Sequence, residues 1–117
     1  VRSFIHMHDV CEATWKITLE GKPGSTYHIS TNETISIRSL VDTICKMTNV
    51  KFDELVIETD DRLGKDQSYL LDSNKIREEL EWKDVIPIKE GLEETLSWVD
   101  NNLSSLKDLP FEYIHKK

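Results

Sequence analysis

The sequence predicts a small α/β domain with few, short strands and about four helices. Stretches that alternate polar and apolar residues take turns with stretches of helical spacing along the chain. Each stretch is about as long as an ordinary element. The length, 117 residues, is that of one domain, and no repeat or linker-like tract divides it, so residues 1–117 read as a single unit. A sheet this small is expected to leave a face or edge unpaired without further chain.

Residues 2–7 alternate and read as a strand. Asp9 reads as an N-cap, with Glu12 at the capping-box position and Val10, Ala13, Thr14 and Ile17 at helical spacing, giving a helix over 9–20. Gly21 stops it, and Lys22-Pro23-Gly24 is a turn. Residues 25–30 read as a strand centred on Tyr27 and Ile29. Ser36 caps a helix over 37–48, with Ile37, Leu40, Val41, Ile44 and Met47 on one face and Asn49 at its end. A strand over 55–57, a charged loop over 60–67 holding Gly64, and a short strand over 68–71 come next. Asp72 caps a helix over 73–81 that carries Ile76 and Leu80, with Trp82 just beyond it. Pro87 precedes a helix over 88–103, with Leu92, Leu96, Val99 and Leu103 at core spacing. The tail, with Leu109, Phe111, Tyr113 and Ile114, is apolar enough to pack on something.

Charge narrows the function. Fifteen Lys and Arg stand against 22 Asp and Glu, a net −7. That field repels phosphate backbones and anionic lipid, which argues against nucleic-acid and membrane-surface binding but leaves room for a local site for one small anion. No apolar run approaches the roughly 20 residues of a membrane span, no signal peptide opens the chain, and a cytoplasmic location is expected. Cys11 and Cys45 read as two buried thiols in helices, without a paired His. The opening Val1-Arg2-Ser3-Phe4, with no Met, reads as the middle of a longer chain.

Few residues invite chemistry. His6 and His8 would share a strand face as metal ligands, but no further His or Cys completes a shell, and a strand running into a helix cap explains them better. Asp60-Asp61 and Glu93-Glu94 read as solvated surface rather than an acid–base pair. There is no glycine-rich phosphate loop. What remains is a set of cations: Arg2, and Arg62 and Lys65 around Gly64. An arginine fork can hold two phosphate oxygens at once. A turn whose cations pair with Asp60, Asp61 and Asp66 fits the same residues equally well.

Several segments resemble, in order, the C-terminal third of extended short-chain dehydrogenases that act on nucleotide sugars. Arg2-Ser3-Phe4-Ile5-His6-Met7-His8-Asp9-Val10 is similar to the family's Arg-Asp-Phe-Ile-His-Val-x-Asp-Val. Gly24-Ser25-Thr26-Tyr27-His28-Ile29 is similar to its Gly-x-x-Tyr-Asn-Ile strand, and Arg62-Leu63-Gly64-Lys65-Asp66 to its Arg-Pro-Gly-x-Asp loop. Asp72-Ser73-Asn74-Lys75-Ile76 with Leu80-Glu81-Trp82, and then Ile88 through Trp98, resemble the last two helices. The likeness is to the dTDP-glucose 4,6-dehydratase branch.

The resemblance implies the small C-terminal substrate-binding domain of an NAD-dependent dehydratase, a fragment whose Rossmann domain is missing. NAD, the Tyr-x-x-x-Lys pair and the dehydration acids would belong to that missing part, so the fragment would hold no catalytic, cofactor or metal residue and would be inactive alone. Arg2 and Arg62 would bind the nucleotide diphosphate, Lys65 would lie beside the ribose, and His28 would stand where the family has an Asn that reaches the diphosphate. Leu63 replaces the usual Pro, and Glu81 a usual Gly. The implied partners are a nucleotide sugar and the missing Rossmann domain, with a homodimeric parent. Phe4, Ile5, Phe111 and Ile114 would be left exposed in the fragment and favour self-association. A nucleotide-sugar 4-epimerase would share these motifs. Outside the family, a nucleotide-binding domain without catalysis or an acidic interaction module docking through residues 109–114 would also fit.

Overall fold

A computed structural model describes residues 1–57, 64 and 66–110. Among them the chain forms α1 (Met7–Glu20), α2 (Ile37–Thr48), α3 (Phe52–Leu55), α4 (Asn74–Leu80) and α5 (Ile88–Lys107). The four expected helices are present, and α3 is an addition. It replaces the start of the strand expected at 55–57. Lys51 enters it in extended geometry and Asp53 and Glu54 fill its first turn, where acids favour a helix N-terminus.

The α/β expectation needs correction on its strands. Among the described residues there is no strand, only two isolated bridges through Arg2, antiparallel to Ile35 and parallel to Tyr69. Arg2 N donates to Ile35 O at 3.0 Å and Ile35 N returns the bond to Arg2 O at 2.9 Å. Residues 25–30 do keep the strand-like alternation. Tyr27 and Ile29 are half-buried and pack on the core, while His28 is exposed. Side chains hold this segment in place: Lys75 Nζ donates to Thr26 O at 3.1 Å, and Arg77 Nη2 to Ser30 O at 2.9 Å. Alternation reports that one side of a segment is buried. A strand also needs a partner, which local sequence does not specify.

Helix α1 starts two residues before the expected cap. His6 is the N-cap, extended at φ −71°, with Nδ1 accepting from His8 N at 3.3 Å. Asp9 lies inside the first turn and is 1% exposed. Its two carboxylate oxygens accept from Val85 N and Ile86 N, each at 3.1 Å, and its carbonyl accepts from Trp82 Nε1 at 3.2 Å. A buried carboxylate is tolerable when backbone N–H groups satisfy it. Asp9 thus ties the segment after α4 to α1. Between the two helices sits the core: Ala13, Ile76, Leu80 and Trp82, flanked by Ile5, Ile17, Tyr27 and Ile29.

Helix α2 has the expected bounds. Ser36 Oγ accepts from Ser39 N at 3.0 Å, and Asn49 closes the helix at φ 56°. Cys45 is buried, whereas Ile37, assigned to the apolar face, is 50% exposed. Cys11 is also exposed, contrary to the reading of two buried thiols. Ser73, rather than the expected Asp72, is the N-cap of α4 and makes no side-chain cap bond; Asp72 stands one residue before it, its Oδ1 accepting from Asn74 N at 2.8 Å. Helix α5 passes His6 at Gly91, where a Cβ would stand 3.0 Å from the imidazole Cδ2. Of the apolar residues expected at the surface, Phe4 is exposed and Ile5 is instead half-buried against the core. Phe111 and Ile114 lie outside the described residues. Among the described residues no helix is long and apolar enough to cross a membrane.

Candidate functional site

Of the four candidate ligand contacts, the described residues include Arg2 and His28, while Arg62 and Lys65 lie outside them. Arg2 is half-buried and fixed from both ends. Its backbone is paired to Ile35, and Tyr69 N donates to Val1 O at 3.2 Å. Its guanidinium is oriented by two backbone carbonyls: Nη1 donates to Val1 O at 2.8 Å and Nη2 to Asp66 O at 3.1 Å. Asp66 directly follows Lys65 in the sequence. The fold therefore carries the head of the chain to Asp66 and Gln67.

Both groups that orient Arg2 are neutral. A carbonyl dipole positions a guanidinium without cancelling its charge, and the remaining N–H donors of Arg2 stay open among the described residues. Among the described residues no carboxylate faces this half-buried charge, and a complementary anion would stabilise it. Two or more N–H groups on one planar fork suit the oxygens of a phosphate or carboxylate.

Arg77 shows the contrasting arrangement, which sequence inspection did not single out. Its Nε donates to Ser73 Oγ at 2.9 Å, its Nη2 reaches Ser30 O at 2.9 Å and Asp84 Oδ1 at 2.5 Å, and its guanidinium stacks 5.0 Å from the centre of the Trp82 ring. Burial raises the Asp84 pKa, but hydrogen bonds from Thr31 and Arg77 and the nearby positive charge outweigh it and hold the carboxyl below its usual range. This cation is fully used by the fold. The signal in the sequence was its helical register: Arg77 follows Ile76 on α4, and Ser73 precedes it by one turn.

His28 projects away from the core and makes no hydrogen bond among the described residues. No hydrogen bond joins it to Arg2. Of the two histidines considered for metal binding, His6 has a structural use, and His8 is exposed and contributes its backbone N–H. Because His6 Nδ1 accepts from the backbone, the ring proton sits on Nε2, 3.3 Å from Glu94 Oε2. Among the described residues no group of three or more His, Cys, Asp or Glu could hold a metal ion. Beside His6, an apolar groove of about 140 Å³ opens between Phe4, Leu40, Pro87, Gly91 and Leu92.

Comparisons with known proteins agree on one family. The family model described as GDP-mannose 4,6 dehydratase matches residues 1–95. The chain is 32% identical over 112 residues to a dTDP-D-glucose 4,6-dehydratase of Bos taurus, covering 92% of this chain and 31% of that protein. It is 34% identical over 101 residues to a dTDP-glucose 4,6-dehydratase of Streptomyces niveus, covering 86% of this chain and 30% of that protein. Among solved structures it superposes on the Bordetella bronchiseptica enzyme WbmF, in complex with NAD+ and UDP, with a TM-score of 0.74 and 30% identity, over 91% of this chain and 31% of that one. The chain thus spans about a third of the length of the relatives it matches. With the matched region reaching from Val1 through the first turns of α5, the chain belongs to the GDP-mannose 4,6 dehydratase family.

Proposed function

We propose that this chain is the nucleotide-sugar-binding portion of an NAD-dependent nucleotide-sugar 4,6-dehydratase, of the dTDP-glucose 4,6-dehydratase kind. The observation that carries the proposal is Arg2, a half-buried cation oriented by two carbonyls and left without a counterion among the described residues. A nucleoside diphosphate supplies the anion that such a group lacks, and the WbmF relative was solved with UDP. Arg2 holds one side of the diphosphate. Arg62 completes the clamp, Lys65 lies toward the ribose, and His28 occupies a flanking position. NAD, held by the portion of the parent outside these residues, supplies a redox cycle in which C4 of the sugar is oxidised, water is lost across C5 and C6, and C6 is reduced. The work of this chain is positioning: fixing the diphosphate sets the sugar's distance and angle to the reacting groups, which alone lowers a barrier substantially.

The test is product formation and affinity in the polypeptide that carries this chain. Incubation with dTDP-glucose and NAD is expected to give a 4-keto-6-deoxy product, whereas a 4-epimerase would return only an epimeric sugar. Arg62→Ala is expected to weaken dTDP binding about ten- to a hundredfold, the loss of one charge-assisted contact, with Arg62→Lys recovering part. Equal affinity in all three proteins would remove the clamp. Absence of the keto product would remove the dehydratase.

A further inference from the structure

Two nitrogens of one ring sit between the starts of two helices. His6 is half-buried at the N-cap of α1, its side chain 22% exposed. Its Nδ1 accepts from His8 N at 3.3 Å and so satisfies one of the N–H groups that a helix leaves open in its first turn. Its Nε2–H meets Glu94 Oε2, 3.3 Å away in the second turn of α5. Gly91 makes this reach possible. It stands three residues before Glu94, on the same side of α5, and a Cβ there would lie 3.0 Å from the imidazole Cδ2. The ring thus joins the two helices, with an acceptor toward α1 and a donor toward α5.

The two nitrogens answer a proton in opposite ways. Histidine gains its second proton just below neutral pH. Here that proton goes to Nδ1, which then no longer accepts. Nδ1–H faces His8 N–H, donor against donor, at the positive end of the α1 dipole. On the other side the same charge turns the Glu94 contact into a full ion pair. The common N-cap residues, Ser, Thr, Asp and Asn, keep accepting through the mildly acidic range. A histidine at this position makes the cap conditional on the proton.

The other charged groups around the ring are engaged elsewhere or exposed. Among the described residues Glu94 is the one acid within ion-pair distance of His6. On α1, Asp9 spends both oxygens on Val85 N and Ile86 N, and His8 and Glu12 are exposed. On α5, Lys89 lies 3.9 Å from Glu93, and Glu90 is exposed. On the stretch leading into the ring, Arg2 turns to Val1 O and Asp66 O. On α2, Leu40 lines the groove beside His6, Arg38 lies over the Phe52 ring, and Asp42 pairs with Lys46 at 2.6 Å. After α4, Asp84 is held by Arg77. We propose that His6 is a proton-operated latch: the neutral ring caps α1, and the protonated ring releases His8 N–H and is held by Glu94, which opens the first turn of α1.

The test is nuclear magnetic resonance on the polypeptide that carries this chain, labelled with nitrogen-15 histidine, so that ring nitrogens and histidine amides are read together. At about pH 7.5 the His6 ring is expected to carry its proton on Nε2, with the His8 amide protected from hydrogen exchange. Between about pH 7.5 and about pH 5.5 that protection, corrected for the intrinsic exchange rate, is expected to fall at least about fivefold. His6→Asn supplies a cap that does not titrate and is expected to hold His8 protection constant within about twofold over the same range. Glu94→Gln removes the charge that holds the protonated ring, so the fall is expected to need a lower pH. A neutral ring with its proton on Nδ1 overturns the proposal. So does unchanged His8 protection in the wild type, and so does an equal fall in His6→Asn. A midpoint in Glu94→Gln at or above that of the wild type overturns it as well, whether or not His6→Asn folds.

Discussion

Two arginines of this chain are both partly buried and differ in what surrounds them. Arg77, on α4, meets a carboxylate, a hydroxyl, a carbonyl and the Trp82 ring. Arg2, at the head of the chain, meets two carbonyls. The first set cancels the charge and fastens three segments together: residues 30–31, α4 and the stretch after Trp82. The second set aims the charge and, among the described residues, brings it no carboxylate. Among the described residues the fold neutralises one of these cations and only orients the other.

The largest expected effect lies on the Arg77 side. Arg77→Ala leaves Asp84 without its cation and Ser30 O without its donor, and is expected to destabilise the chain by about 2–3 kcal/mol, the lower range for breaking a mostly buried pair. Chemical denaturation measures this. A loss within about 0.5 kcal/mol, the range of an exposed pair, would erase the contrast between the two arginines.

The same cluster predicts a pH dependence. The Asp84 carboxyl is held below its usual range in the folded state, so it binds its proton less readily there than in the unfolded chain. Its stabilising contribution is complete above the unfolded value near 3.8 and is lost as pH falls through the lower folded value. Wild type is expected to lose stability on acidification below about pH 4, and Asp84→Asn to show a shallower acid limb. Identical acid limbs would show that the carboxylate is not held by the pair.

A smaller and opposite effect is expected at the end of α4. Glu81 closes the helix at φ 49°, a conformation that strains any residue with a Cβ. Glu81→Gly is expected to stabilise by up to about 1 kcal/mol and to leave ligand binding untouched. A drop in melting temperature would mean that the Glu81 side chain contributes more than its backbone costs.

The comparison also shows how much was legible from residues alone. Helix α2 was readable to its ends, because Ser36, the apolar spacing and Asn49 are all local signals. The strands were not, because alternation at Tyr27 and Ile29 records burial while pairing depends on distant chain. Asp9 was readable as a residue that meets backbone N–H groups, but those groups belong to Val85 and Ile86 rather than to its own helix. Arg2 stood out as a cation in an acidic chain. That its partners are neutral carbonyls, and that Arg77 takes the carboxylate, follow only from contacts across 64 and 7 residues.

The central claim is that the charge of Arg2 is available to an anionic ligand. Isothermal titration of dTDP and UDP into the longer polypeptide, wild type and Arg2→Ala, tests it, with melting temperature recorded for both proteins. The account predicts a fall in affinity of about ten- to a hundredfold with little change in melting temperature, since the carbonyls that Arg2 releases return to water. Unchanged affinity together with a substantial loss of stability would contradict it, and would place Arg2 beside Arg77 as a cation of the fold.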